Sequence, residues 1–82
     1  MRPVQPTNAD LGRALARLRR ERGLSVAELA QRADCTPDWL ADAERGAFSP
    51  AWSEIGLLAQ ALDLRLSTFI AEIELESRAG EL

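Results

Sequence analysis

The sequence predicts an all-α domain of five helices. Apolar residues recur at helical spacing in five segments, most of which begin at a residue suited to cap a helix. No segment alternates apolar and polar residues as a half-buried strand does. A chain of 82 residues has room for one modest core. We therefore expect a single compact domain at residues 9–78, with tails at 1–8 and 79–82.

Helix 1 is predicted near residues 10–21. Its N-terminal cap is Asn8 or Asp10, and Gly23 follows its end. One face of the segment repeats apolar residues at helical spacing: Leu11, Ala14, Leu15 and Leu18.

Helices 2 and 3 have strong start signals. Ser25 is a good N-cap, and Glu28 stands three residues later to complete a capping box. Asp34 tolerates the left-handed turn that would end helix 2. Thr36 then caps helix 3, with Pro37 at its first position, where no N–H is needed.

Helices 4 and 5 are expected to begin in a similar way. Ser49 and Pro50 would open helix 4, and Ser67 would cap helix 5. Helix 5 then carries an apolar stripe that is larger than a core of this size requires, so we interpret the stripe, together with the end of helix 4, as a homodimer interface. Its residues are Phe69, Ile70 and Ile73.

Composition argues against an enzyme, a metal site or a bound cofactor. There is no histidine, no glycine-rich phosphate loop, and one cysteine, Cys35. Cys35 is interpreted as a small core residue in a turn. No segment predicts a membrane span or a secretory signal, so a cytoplasmic protein is expected.

Charge is distributed unevenly along the chain. Residues 1–32 carry seven arginines against three acids, whereas residues 33–82 carry three arginines against ten acids. The arginines near the N-terminus suit either phosphate contacts or a solvated helix face. This ambiguity applies to the group Arg17, Arg20 and Arg22.

Helices 2 and 3, separated by three or four residues, predict a helix-turn-helix, whose second helix enters the major groove of DNA. The segments "RGLSVAELA", "ERG" followed by "SP", and "LAQALDLRLSTF" also resemble the phage-repressor, Cro-like (XRE-type) helix-turn-helix family. The resemblance covers about residues 11–69. It implies a repressor-like five-helix domain, DNA binding by helix 3, a homodimer, and an ion pair between Arg19 and Glu44.

Helix 3 departs from the family pattern by being acidic. On a helical wheel with ~100° per residue, Asp38, Asp42 and Arg45 lie opposite the buried Leu40. Two carboxylates on this side oppose binding to a polyanion. Val26 also replaces a glutamine that contacts phosphate in the family.

Two tryptophans remain open to interpretation. Trp39 flanks the acidic stripe and is either partly buried packing or an anchor for a partner. Trp52, at the start of helix 4, is either in the core or at the edge of a dimer.

Two functions are weighed from these observations. The first is a sequence-specific transcriptional regulator that binds double-stranded DNA as a homodimer. In this hypothesis the DNA backbone is contacted by Arg13, Arg17, Arg45 and the helix N-termini at Ser25 and Thr36. The DNA bases would be contacted by Thr36, Pro37, Asp38, Trp39 and Asp42. The second is a repressor-like fold whose acidic helix 3 docks a basic protein partner and does not read DNA.

Overall fold

The computed structural model describes residues 6–80, which fold into five α-helices and contain no strand. The helices are α1 (Asn8–Glu21), α2 (Val26–Arg32), α3 (Pro37–Glu44), α4 (Trp52–Ala61) and α5 (Leu66–Ala79). The predicted all-α, five-helix class is confirmed. Of the expected tails, residues 1–5 and 81–82 lie outside the described part of the chain.

Helices α1 and α2 each begin with a capping box. Thr7 caps α1: its Oγ1 accepts from the Asp10 N–H at 3.1 Å, and its own N–H donates to Asp10 Oδ2 at 2.8 Å. Asp10 is therefore the third residue of the helix rather than its cap, and the predicted start was late. The predicted box on α2 is confirmed, because Ser25 Oγ accepts from the Glu28 N–H at 3.0 Å.

The predicted starts of α4 and α5 were each wrong by two residues. Ala51 precedes α4, and Glu54 Oε1 accepts from the Ala51 N–H at 2.7 Å. A side chain inside the helix thus accepts the N–H of the residue that precedes it, and no cap from Ser49 is needed. Ser49 and Pro50 lie before the helix. At α5 the cap position is Arg65, which makes no side-chain capping bond, and Ser67 falls in the first turn. Packing of the neighbouring leucines against the core fixes that start.

The core is built around α1, which packs against both α3 and α5. Its largest fully buried side chains are Leu15, Leu29, Leu40, Leu58, Leu62 and Phe69. They come from all five helices, so each helix buries one face in the same cluster. The turn between α2 and α3 contains Asp34 at φ 57°, which confirms the predicted left-handed conformation.

Gly12 sets the closest approach between α1 and α3. A Cβ at this position would lie 2.3 Å from the carbonyl oxygen of Glu44 and 2.8 Å from that of Ala43. Both atoms belong to the backbone, so they cannot rotate away. Only glycine lets α1 cross the end of α3 at this distance.

Candidate nucleic-acid interface

The start of α3 is the most accessible part of the helix-turn-helix. Thr36 Oγ1 accepts from the Trp39 N–H at 3.1 Å, which fixes the first turn. Thr36, Pro37 and Asp38 are all exposed. Pro37 has no N–H and the Trp39 N–H is taken by the cap, so the Asp38 N–H and the partial positive charge of the helix start are what this turn offers to a phosphate.

The outward face of α3 carries Asp38, Asp42 and Arg45, as the wheel predicted. Leu40 and Ala43 are fully buried on the opposite side. Arg45 forms an ion pair with Asp42 along the helix, and their side chains are 72% and 46% exposed. The face thus presents one paired carboxylate and one further carboxylate, Asp38, at the first turn.

Trp39 belongs partly to the interior. Its ring meets Phe48 edge to face, with centroids 5.2 Å apart, and the side chain is half-buried. Its edge lines a groove of about 240 Å³ together with Cys35 and Leu57. Cys35 is half-buried against the core, and burial raises the pKa of its thiol. Trp39 can therefore reach DNA only with the part of the ring that stays exposed.

The structure does not support the phosphate-binding role predicted for Arg17, and it weakens that for Arg13. Arg17 donates to Glu76 Oε1 and Glu72 Oε2, both at 2.9 Å, and these acids lie on α5. The hydrogen bond to Glu76 is the main reason that the pKa of Arg17 is raised. Arg13 pairs with Asp10 and lies 3.6 Å from Glu76. These arginines join α1 to α5, which compensates most of their charge locally.

Sequence reasoning missed this network, although a signal for it was present. Arg13 and Arg17 are four residues apart on α1, and Glu72 and Glu76 have the same spacing on α5. Residues four apart share one helix face. Each pair therefore lies on one face of its own helix, which is the arrangement that ion pairs between two helices require.

The ion pair implied by the family resemblance is present. Arg19 Nε and Nη2 donate to the two carboxylate oxygens of Glu44 at 2.6 and 3.0 Å. The third donor, Nη1, reaches the carbonyl oxygen of Leu24 at 2.8 Å. Arg22 has another role, since its Nε donates to the carbonyl oxygen of Leu62 at 2.6 Å and so ties α1 to the end of α4. Of the group Arg17, Arg20 and Arg22, Arg22 thus makes contacts within the chain, and Arg20 is exposed.

The stripe predicted as a dimer interface lies mainly inside the chain. Phe69 is fully buried and Ile73 is 4% exposed, both in the core, and Ile70 is half-buried against it. Because α1 and α4 pack on Phe69 and Ile73, these two side chains are not available to a second copy, whereas part of Ile70 stays at the surface. Trp52, by contrast, is 66% exposed, which removes the core interpretation of that residue.

The described residues show no constellation for metal chemistry. In residues 6–80, no group of three histidine, cysteine, aspartate or glutamate side chains is placed to hold a metal ion. Over the same residues, no helix has both the length and the apolar character needed to cross a bilayer.

Comparison with known proteins connects this geometry to gene regulation. The sequence pattern of a family described as a helix-turn-helix domain matches residues 10–67. The chain is 32% identical over 62 residues to the immunity repressor protein of Bacillus phage phi105, a match that covers 76% of this chain and 43% of the repressor. This chain thus corresponds to less than half of that relative.

Two solved structures have a similar fold. The restriction-modification controller protein C.AhdI from Aeromonas hydrophila superimposes with a TM-score of 0.73 at 29% identity, over 76% of this chain and 94% of the controller. The clp gene regulator ClgR from Corynebacterium glutamicum gives a TM-score of 0.87 over 96% of this chain and 84% of that chain. At 23% identity, the second likeness shows the fold alone. By their names, these relatives are a repressor, a controller protein and a gene regulator.

Proposed function

This chain belongs to the helix-turn-helix family of transcriptional regulators, and from that premise we propose that it reads a specific DNA sequence as a homodimer, with α3 in the major groove. The observation that carries the proposal is the outward face of α3. Its polar side chains are exposed on a helix whose other side is anchored in the core. A face of this kind is free to meet base edges.

The base contacts would come from the carboxylates. Asp38 and Asp42 can each accept a hydrogen bond from the exocyclic amine of cytosine. The Thr36 hydroxyl oxygen already accepts from the Trp39 N–H, but its proton is free to be donated to a base or a phosphate. Asp42 is held by Arg45, so its carboxylate is oriented before DNA arrives.

The backbone contacts would come from a small set of donors. Ser25 caps α2 and keeps a hydroxyl proton to donate, and Thr36 does the same at the start of α3. Arg45 is the cation of this face, and its ion pair with Asp42 uses one nitrogen, so its other N–H donors can reach a phosphate. Because Arg13 and Arg17 are held by α5, few phosphates are neutralised. We infer weak non-specific binding and a correspondingly larger share of affinity from base contacts.

The test is a fluorescence anisotropy titration of the purified chain. One labelled duplex carries the sequence upstream of the protein's own gene, and a second carries the same bases in scrambled order. Binding to both duplexes is measured at two salt concentrations, because the affinity of a protein for DNA depends on the salt concentration. We expect tighter binding to the upstream duplex at both salts.

A matched control separates the α3 surface from general charge effects. Glu74→Gln removes one exposed negative charge on α5 and should leave the preference between the two duplexes unchanged. Equal affinity for both duplexes would contradict sequence-specific reading. No binding to either duplex at low salt would favour the alternative, in which the acidic α3 docks a basic protein.

A further inference from the structure

A groove of about 240 Å³ lies between the α2–α3 turn and α4. Most of its wall is apolar. Ala33 and Leu58 line it from the core, Cys35 and Trp39 are half-buried in it, and Leu57 is exposed at its edge. An apolar cavity of ~150 Å³ in a protein accepts one benzene molecule. This groove therefore has room for one aromatic ring with a short side arm.

Two carboxylates, Asp34 and Glu54, line the same groove. Within residues 6–80 neither forms an ion pair, whereas Asp10 and Glu44 are each paired with an arginine. Glu54 accepts the Ala51 N–H with Oε1 alone, so Oε2 is left to other donors. The groove thus combines an apolar wall with two negative charges that no arginine of the described residues compensates.

The two charges act inside the groove, because the Cys35 thiol is affected by both. The pKa of this thiol is raised, first by burial and then by the negative charges of Asp34 and Glu54. A negative potential beside an apolar wall attracts a ligand that carries a positive charge on an apolar body. Trp39 adds an aromatic ring, which interacts favourably with another ring and with a cation.

We propose that this groove binds a small organic cation in which one aromatic ring carries a short ammonium arm. The ring lies against Trp39 and Leu57, and the ammonium group reaches the carboxylates of Asp34 and Glu54. Charge selects this ligand, because both carboxylates repel an anion and a neutral ring leaves them without a partner. Size favours a small molecule over a protein, since a stable protein interface involves about 20–30 residues a side and eight residues line the groove.

Binding of the cation has a consequence for DNA, and this consequence alone rests on the proposed function. Thr36 and Trp39 belong both to the groove and to the proposed DNA surface. We expect saturating benzylammonium to weaken binding to the upstream duplex by ~fivefold or more at matched ionic strength. Unchanged affinity for the duplex would overturn this consequence. A chain that binds neither duplex would overturn the proposed function, while cation binding is decided separately, without DNA.

The test of cation binding is an NMR titration of the isotope-labelled full chain with benzylammonium chloride. We expect saturable shifts of the backbone amide signals of Cys35, Trp39 and Leu57 at millimolar ligand. Benzyl alcohol, which has the same ring and no charge, should bind ~10-fold more weakly, because it cannot pair with the two exposed carboxylates. A titration with sodium chloride is the control for ionic strength.

A pair of double variants isolates the two charges. Asp34→Asn with Glu54→Gln keeps the local structure, because asparagine tolerates the left-handed backbone at position 34 and glutamine can close a capping box. The matched control is Asp63→Asn with Glu28→Gln: Asp63 is also left-handed and Glu28 also closes a capping box, but neither lines the groove. We expect the groove variant to bind benzylammonium ~10-fold more weakly than wild type, and the control to change the affinity less than ~twofold.

The NMR spectrum of each variant also shows whether it is folded. If the groove variant is not folded, Glu54→Gln alone should weaken binding ~threefold. Shifts confined to residues outside the groove, equal affinity for benzylammonium and benzyl alcohol, or equal losses in the groove variant and its control would each overturn the proposal. Shifts of the same amides when the protein is concentrated without ligand would also overturn it, since a second copy would then occupy the groove.

Discussion

Arg19 and Glu44 are joined through two hydrogen bonds of 2.6 and 3.0 Å, a bidentate pair that links the last turn of α1 to the last residue of α3. Their side chains are only 12% and 10% exposed. A third bond, from Arg19 to the carbonyl oxygen of Leu24, fixes the loop before α2 in the same arrangement. The orientation of α3 relative to the rest of the chain depends on this contact.

A double-mutant cycle tests the energetic role of the pair. We expect Arg19→Met and Glu44→Leu, each alone, to lower the free energy of unfolding by ~3–5 kcal/mol, because each leaves a buried charge without its partner. The double variant should lose much less, since two apolar side chains leave no charge to compensate. Urea unfolding of all four proteins measures this, and additive losses would show that the two residues are not coupled.

The close approach at Gly12 gives a second prediction. Gly12→Ala should lower the free energy of unfolding by ~1–3 kcal/mol, because the new methyl group meets backbone carbonyls that cannot move aside. The matched control is Gly56→Ala, which also places alanine inside a helix but in open space. The control should unfold at the same or a higher temperature than wild type. If both variants behave alike, the contact between α1 and α3 is not as tight as described.

The carboxylates of α3 can be tested without changing their shape. Asp38→Asn combined with Asp42→Asn removes two negative charges, so affinity for a scrambled duplex should rise. Preference for the specific site should fall by ~1–3 kcal/mol for each lost base contact. The measurement is an anisotropy titration of both proteins against both duplexes at matched salt. A variant with unchanged preference would show that neither carboxylate touches a base.

The network between α1 and α5 predicts that Arg17 acts in stability rather than in DNA binding. Arg17→Gln breaks the contacts to Glu72 and Glu76, so the melting temperature should fall. The slope of log affinity against log salt should stay the same, whereas losing a phosphate contact would make it shallower by ~0.9. Arg45→Gln is the comparison, because Arg45 lies on the DNA-facing side and its loss should reduce the slope.

Acid should weaken the start of α1. The pKa of Asp10 lies below its ordinary value of 3.8, chiefly because its carboxylate accepts the Thr7 N–H. A lowered folded-state pKa means that the contribution is complete above 3.8 and is lost as pH falls through the folded value. We therefore expect Asp10→Asn to destabilise the chain at neutral pH, and the gap to wild type to close below pH 3.8. Urea midpoints across this range measure the gap.

The positions of the helices could be predicted because local signals define them. The capping box at Ser25 and the Thr36-Pro37 start of α3 depend on atoms within four residues of one another, so the sequence contains the whole arrangement. The starts of α4 and α5 were misplaced because Ser49 and Ser67 are plausible caps in isolation. The start of α4 is fixed by a glutamate inside the helix, and the start of α5 is fixed by packing against the core.

Partners distant in sequence limited the prediction of the site. Arg17 and Glu76 are 59 residues apart, and only the packing of α1 on α5 brings them together. A pattern of charges on one helix does not reveal which helix it faces. The same limit explains why Phe69 and Ile73 were assigned to a dimer: the size of an apolar stripe does not tell how much of it the chain's own helices cover.

The anchoring of α3 is uneven along its length, and this has a consequence for how its amide hydrogens exchange with solvent. The C-terminal end is held by Gly12 and Arg19, so its amides should exchange only when the whole domain unfolds. The N-terminal turn depends on the Thr36 cap and on the contact between Trp39 and Phe48, and its amides should exchange through smaller openings. The end of α3 that would meet a base edge is thus also the end that can adjust its backbone locally.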